Sequence, residues 1–186
     1  AAGVFDGEIV PVEGVAVDER PKPRLSVATL SRLRPLHSAD GIVTAGNSCG
    51  VNDAAAGVML VDEGTYADLG SPFGLEIVGV ASAGVDPRLP GIGIVPAARM
   101  ALSRAGIGLD QVDVVEFNEA FAGQVLACAD ELGLPEERLC LQGGALALGH
   151  PPQSGPLKIG YSTSSYHGRC AGSSGVTTSG IMVKTA

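Results

Sequence analysis

The sequence predicts an α/β fold, on three observations. Short Val- and Ile-rich runs alternate along the chain with stretches whose apolar residues recur at helical spacing. Gly and Pro punctuate the junctions between them, where a chain must turn or stop. The composition, 45% hydrophobic and 17% charged over 186 residues, is that of a globular chain able to bury one substantial core. Aromatics make up only 4% and Trp is absent, so that core must be built from Val, Leu, Ile and Ala.

The elements follow in order. Glu8–Val17 is Val/Ile-rich but broken by Pro11 and Gly14, which predicts an edge strand or an extended arm. The polar, proline-bearing stretch Asp18–Ser26 is a loop. Thr29–Leu36 predicts a short helical turn that ends near Pro35. Val51–Glu63 is Ala-rich and apolar almost all round, as a buried helix is, with Asn47, Ser48 or Asn52 as its cap. Leu75–Val85 reads as a strand. Val95–Ala105 reads as an amphipathic helix, with Pro96 in its first turn and Gly106 just beyond its end. Val112–Phe117 is a short buried strand. Asn118–Gly133 follows as a helix that aligns Phe121, Val125, Leu126, Ala129 and Leu132 on one face. Leu139–Leu141 predicts a further strand, then comes a glycine-rich loop through Pro151, and Ile181–Lys184 predicts a last strand. Tyr161–Gly180 is rich in Ser, Gly and Thr without a period, which predicts an irregular tail.

Several functions are excluded. A net charge of −8 with no basic stripe argues against nucleic-acid binding. Cys49, Cys128, Cys140 and Cys170 are widely spaced with no CxxC pair, so they read as reduced thiols in a cytoplasmic compartment rather than a disulfide framework. The first residues show no signal-peptide pattern, and no apolar run approaches the roughly 20 residues of a membrane span. Gly91–Pro96 lacks the third glycine of a dinucleotide fingerprint. His167 and Cys170 are too few for zinc, so no metal site and no cofactor is expected.

Two segments carry chemistry. Asn118-Glu119-Ala120-Phe121 lies where a strand gives way to a helix, the end of a strand at which α/β sheets gather ligands. Asn118 there either caps the helix or offers its amide to a ligand. The second segment, Gly143–Pro151, holds His150 between Gly149 and Pro151. A histidine so placed is a candidate general base, because its ordinary pKa lies near neutrality; the bland alternative is a histidine with no role.

These segments resemble the thiolase family. So do Val43–Asp53 (VTAGNSCGVND), Ala81–Pro87 (ASAGVDP) and Gly91–Leu102 (GIGIVPAARMAL), in the family's order, over residues 5–151. The resemblance implies a thiolase-like C-terminal domain, a mixed sheet with helices on both faces. It implies residues 1–25 as the end of a loop region or linker and residues 26–186 as the domain, with 161–180 as an atypical tail. It further implies acyl transfer to or from coenzyme A, forming or cleaving 3-ketoacyl-CoA thioesters. His150 would activate a nucleophilic cysteine and face an oxyanion hole. Asn118 would hold a water in that hole. Phe121 would line the pantetheine tunnel, and Cys49 stands where the family has a serine touching the pantetheine arm.

The family's nucleophilic cysteine belongs to its N-terminal half, which this chain is expected to need as a partner, together with acyl-CoA, coenzyme A and further copies of itself. Without that half the chain alone is expected to be inactive. The family's second catalytic cysteine falls near position 180, where this sequence has Gly180. Cys170, in CAGSSG, is the only cysteine downstream of His150 and resembles the family's Cys-x-Gly-rich turn. The other reading is a thiolase-like domain that binds acyl-CoA or serves assembly without catalysis.

Overall fold

The computed structural model describes residues 5–7, 9–52 and 59–150, and the backbone of two strands at residues 167–172 and 177–185. The element order is α1 (Val27–Leu30), α2 (Glu63–Asp68), β1 (Leu75–Gly84), α3 (Ile94–Ala105), β2 (Val114–Phe117), α4 (Ala122–Leu132), α5 (Ala145–Leu148), β3 (His167–Gly172) and β4 (Thr177–Thr185). The four strands form one mixed sheet in the order β1-β4-β3-β2. β2 and β3 run parallel, and β4 is antiparallel to both of its neighbours. The α/β class and the mixed sheet are as the sequence predicts.

The core lies between this sheet and the two long helices. Ile94, Val95, Ala98, Ala101 and Leu102 of α3 and Val125, Cys128 and Ala129 of α4 share one buried cluster with Ala81, Val115 and Phe117 of the sheet. Spacings of three and four place each helix's apolar residues on one side, and burying them is what stabilises helices of this length. Both helices end where glycine takes the left-handed conformation, Gly106 at φ +70 and Gly133 at φ +68. β1 and α3 touch backbone to backbone: a Cβ on Gly79 would stand 2.7 Å from the Ala101 carbonyl oxygen. A β-bulge falls in β1 between Ile77 and Gly79. Val80 alternates with Gly79 and Ala81, faces away from α3 and is half-exposed, so among the described residues the long helices cover one face of the sheet.

Several expectations need correction. Glu8–Val17 joins no sheet among the described residues; it folds back through one bridge between Val12 and Val15, around a two-residue turn with Glu13 at φ +49 and Gly14 at φ +85. The helical turn expected at Thr29–Leu36 starts earlier, at Val27, because the Ser26 side chain caps it by accepting from the Thr29 N–H. The buried helix expected at Val51–Glu63 does not form at Val51, Asn52 or residues 59–62, and residues 53–58 lie outside the described residues. Met59 and Leu60 are exposed, so no packing stabilises a helix there. A helix begins only at Glu63, where Asp62 Oδ1 accepts from the Thr65 N–H at 2.7 Å.

α4 begins at Ala122 rather than at Asn118, and Cys128 replaces the half-exposed Leu126 on its buried face. Leu139–Leu141 makes only a single parallel bridge, Leu139 to Val115, because Cys140 turns to φ +42 and breaks the extension. Within the tail expected to be irregular, His167–Gly172 is a strand, and a second strand, Thr177–Thr185, begins there. Their Ser/Gly/Thr composition carries little strand signal of its own; the ladder partners on either side impose the extended state.

Candidate active site

Three segments meet at the end of β2. The first is the turn Asn118–Phe121, between β2 and α4. Asn118 is only 6% exposed. It caps no helix: its carbonyl accepts from the Ala120 N–H at 2.9 Å, and α4 starts four residues later. The second is the glycine loop that carries His150 behind α5. The third is the strip Asn47–Asn52, which lies between the other two.

That strip bonds to both sides. The Ala122 N–H donates to the Asn47 carbonyl at 2.9 Å, and the Cys49 N–H donates to the Ala120 carbonyl at 3.0 Å. On the other side the His150 N–H donates to the Gly50 carbonyl at 2.7 Å, and the Asn52 N–H donates to the His150 carbonyl at 3.2 Å. Backbone groups that would otherwise need water are thus satisfied across segments far apart in sequence. Arg20 holds the strip from outside, its Nη2 donating to the Val51 carbonyl at 2.7 Å.

The result is a close pair. Asn118 Nδ2 lies 3.3 Å from His150 Nε2. The donor or acceptor role of the ring nitrogen in this contact is set by the tautomer of the ring. Asn118 Oδ1 and His150 Nδ1 are both buried with no hydrogen-bond partner among the described residues. Leaving such groups unpaired is costly in a fold and marks the place where a ligand or water completes the set. The arrangement can donate to a developing oxyanion and can take or return a proton.

Glu119 ties the first two segments together. Its Oε2 accepts from the Leu146 N–H at 3.1 Å, and its carboxylate fills the space that a Cβ on Gly144 would need. Sequence reasoning missed Glu119 in this role, and it treated Asn52 only as a helix cap. Their partners are distant in the chain, and a Glu beside an Asn carries no local signal of a crosslink.

Of the residues singled out from the sequence, the structure brings His150, Asn118, Cys49 and Phe121 to one place. Phe121 is partly exposed and pairs with Ser48 through an isolated bridge. Burial, with the Glu119 carboxylate adding to it, pushes the Cys49 thiol up, so Cys49 is a poor thiolate. The Cys170 side chain lies outside the described residues, but its Cα is in register with Phe117, the residue before Asn118. Burial pushes Cys128 up to about 11 and Cys140 to about 12. Both are inert core thiols, Cys140 donating to the Phe117 carbonyl at 3.7 Å. Among the described residues no group of three or more His, Cys, Asp and Glu could hold a metal ion.

Comparison with known proteins gives a consistent result. The model of the thiolase C-terminal domain matches residues 72–178, and that of the thiolase N-terminal domain matches residues 1–64. The chain is 45% identical over 158 residues to an acetyl-CoA acetyltransferase of Pseudomonas aeruginosa, a match covering 80% of this chain and 40% of that protein. It is also 45% identical over 162 residues to a 3-ketoacyl-CoA thiolase of Vibrio parahaemolyticus, covering 80% and 41%. It superposes on the crystal structure of human mitochondrial 3-ketoacyl-CoA thiolase in complex with CoA with a TM-score of 0.83 and 32% identity, over 100% of this chain and 50% of that one. The Bacillus anthracis acetyl-CoA acetyltransferase gives a TM-score of 0.84 at 29% identity, over 100% and 51%. The match spans about 40% of the length of the curated relatives. The two family models meet between residues 64 and 72.

Proposed function

Because this chain belongs to the thiolase family, we propose that it supplies the histidine and asparagine half of an acyltransferase site that forms or cleaves 3-ketoacyl-CoA thioesters, with coenzyme A as co-substrate. The observation that carries this reading is the Asn118–His150 pair, 3.3 Å apart with one buried polar atom on each side chain left for a ligand. The relatives' printed names, an acetyl-CoA acetyltransferase and 3-ketoacyl-CoA thiolases, agree with it.

His150 has two tasks in this reading. It draws the proton from a cysteine supplied by the other half of the fold, and its ring faces the oxygen of the thioester. A thiolate attacks where a thiol does not, and general-base help of this kind is typically worth ~10²–10⁴ in rate. Asn118 holds a water that donates to the same oxygen; losing one such donor commonly costs ~10²–10³. Cys170 is the proton shuttle at the α-carbon, a role supported by the register of its strand with the end of β2. Cys49 and Phe121 border the pantetheine arm. The partners are acyl-CoA, coenzyme A, an N-terminal thiolase half and a second copy of the completed subunit. The setting is fatty-acid metabolism in the cytoplasm. No helix among the described residues is long and apolar enough to cross a membrane.

The test is thiolysis of acetoacetyl-CoA by free coenzyme A, on this chain alone and after mixing with the N-terminal half of a thiolase. Activity only in the mixture, lost on His150→Ala, is the expected result. Binding of acyl-CoA without turnover in either sample would overturn it in favour of a non-catalytic acyl-CoA-binding domain.

A further inference from the structure

Asn52, at the end of the strip beside His150, has a side chain that the reaction above does not use. Asn52 makes two contacts that straddle the histidine. Its Nδ2 donates to the Leu148 carbonyl at 2.9 Å, two residues before His150, and its backbone N–H donates to the His150 carbonyl at 3.2 Å. Between these lies Gly149, at φ +92, a conformation that side-chain-bearing residues rarely adopt. A Cβ on Gly149 would collide with the Asn52 amide, its Oδ1 being 2.6 Å away. Asn52 thus occupies the space that this glycine leaves open, and it grips the loop before and after the bend. Its Oδ1 is buried with no hydrogen-bond partner among the described residues. A polar atom is kept there although an apolar side chain of similar size would avoid the desolvation cost.

We propose that Asn52 is a positioning residue for His150: it fixes the peptides on both sides of the bend at Gly149 and so sets where the imidazole meets Asn118. The geometry gives the reason. His150 hangs from a loop whose preceding turn, α5, is only four residues long and cannot hold it alone. A misplacement of the order of 1 Å at a reacting group can cost about 10²-fold in rate, so holding the loop matters to the chemistry. This deepens the thiolase reading and rests on it only for the kinetic arm of the test.

The experiment uses the full chain with histidine ring nitrogens labelled with ¹⁵N. The sequence has three histidines, and His150→Gln identifies the His150 signals among them. Asn52→Ala is expected to move the His150 ring resonances, and Asn52→Asp, which keeps the volume but loses the donor, to do the same. Gly149→Ala should reproduce the shift, because its Cβ displaces Asn52 from the other side. Val125→Ala, in the core of α4, should lower stability and leave those resonances in place. In the chain completed with an N-terminal half, Asn52→Ala is expected to lower kcat about 10–100-fold with KM for coenzyme A unchanged. The proposal is overturned if Asn52→Asp and Gly149→Ala both fold and leave the His150 resonances where the parent chain has them. Absence of thiolysis in the completed parent protein would instead remove the thiolase reading, while the resonances would still decide whether Asn52 places His150.

Discussion

Residues 79–145 and residues 5–69 contribute to the same site but are held in place by different forces. The first stretch contains the buried cluster formed by α3, α4 and the sheet. In the second, none of the described residues is buried. Val10, Val12, Val17, Ile42 and Met59 all stand largely exposed. Among the described residues, the strip Asn47–Asn52 fastens this N-terminal stretch to the rest through backbone hydrogen bonds to both active-site loops. The division follows the family models, the N-terminal-domain model ending at residue 64 and the C-terminal-domain model starting at residue 72. One region supplies hydrophobic stability and the other supplies polar crosslinks, so stability and site geometry should respond to different substitutions.

The contrast can be broken most severely in the core. Phe117→Ala should cost ~3–5 kcal/mol, read as a fall in the denaturation midpoint, because Phe117 is 2% exposed among α3 and α4. Gly79→Ala should cost ~1–3 kcal/mol by pressing β1 away from the Ala101 carbonyl, and calorimetry would show it. Alkaline pH tests the same core without mutation. Cys128 and Cys140 hold their protons more tightly when folded, at about 11 and about 12 against the ordinary 9.0. Their contribution to stability is therefore intact below the ordinary value and is lost as pH rises through the folded values. Denaturation midpoints should fall over that window, and by less in Cys128→Ala.

Smaller effects sharpen the other side. Arg20→Ala removes the bond to the Val51 carbonyl and should cost about 1 kcal/mol or less. Amide exchange at Asn52 and His150 should quicken while Val115 and Val125 keep their protection. Equal loss of protection at all four would mean that the two regions open as one unit. Val15→Ala, on the exposed arm, should change stability by no more than about 0.5 kcal/mol.

The same division explains what could be read from the sequence. α3 was legible because every cue is local: Pro96 in its first turn, Gly106 at its end and an unbroken apolar stripe. β1 and β2 were legible from Val/Ile runs bounded by polar or glycine residues. The start of α4 was not, because Asn118 is a good cap by residue type yet its side chain is engaged by His150. β3 and β4 were hidden by their composition, since only their neighbours make them strands. The His150 loop announced itself through its glycines and its histidine, and the Asn118 turn through its place where a strand gives way to a helix. Asn52 and Glu119, which hold those loops, did not, because Asn52 reaches Leu148 and Glu119 reaches Leu146 across the fold.

The Asn47–Asn52 strip has a consequence for how such a site tolerates change. It bonds to the Asn118 turn on one edge and to the His150 loop on the other, so any substitution that shifts it is felt by both at once. The two loops cannot drift independently over evolutionary time. A neutral path for one must also be neutral for the other, and a compensating change for either should most readily arise within these six residues.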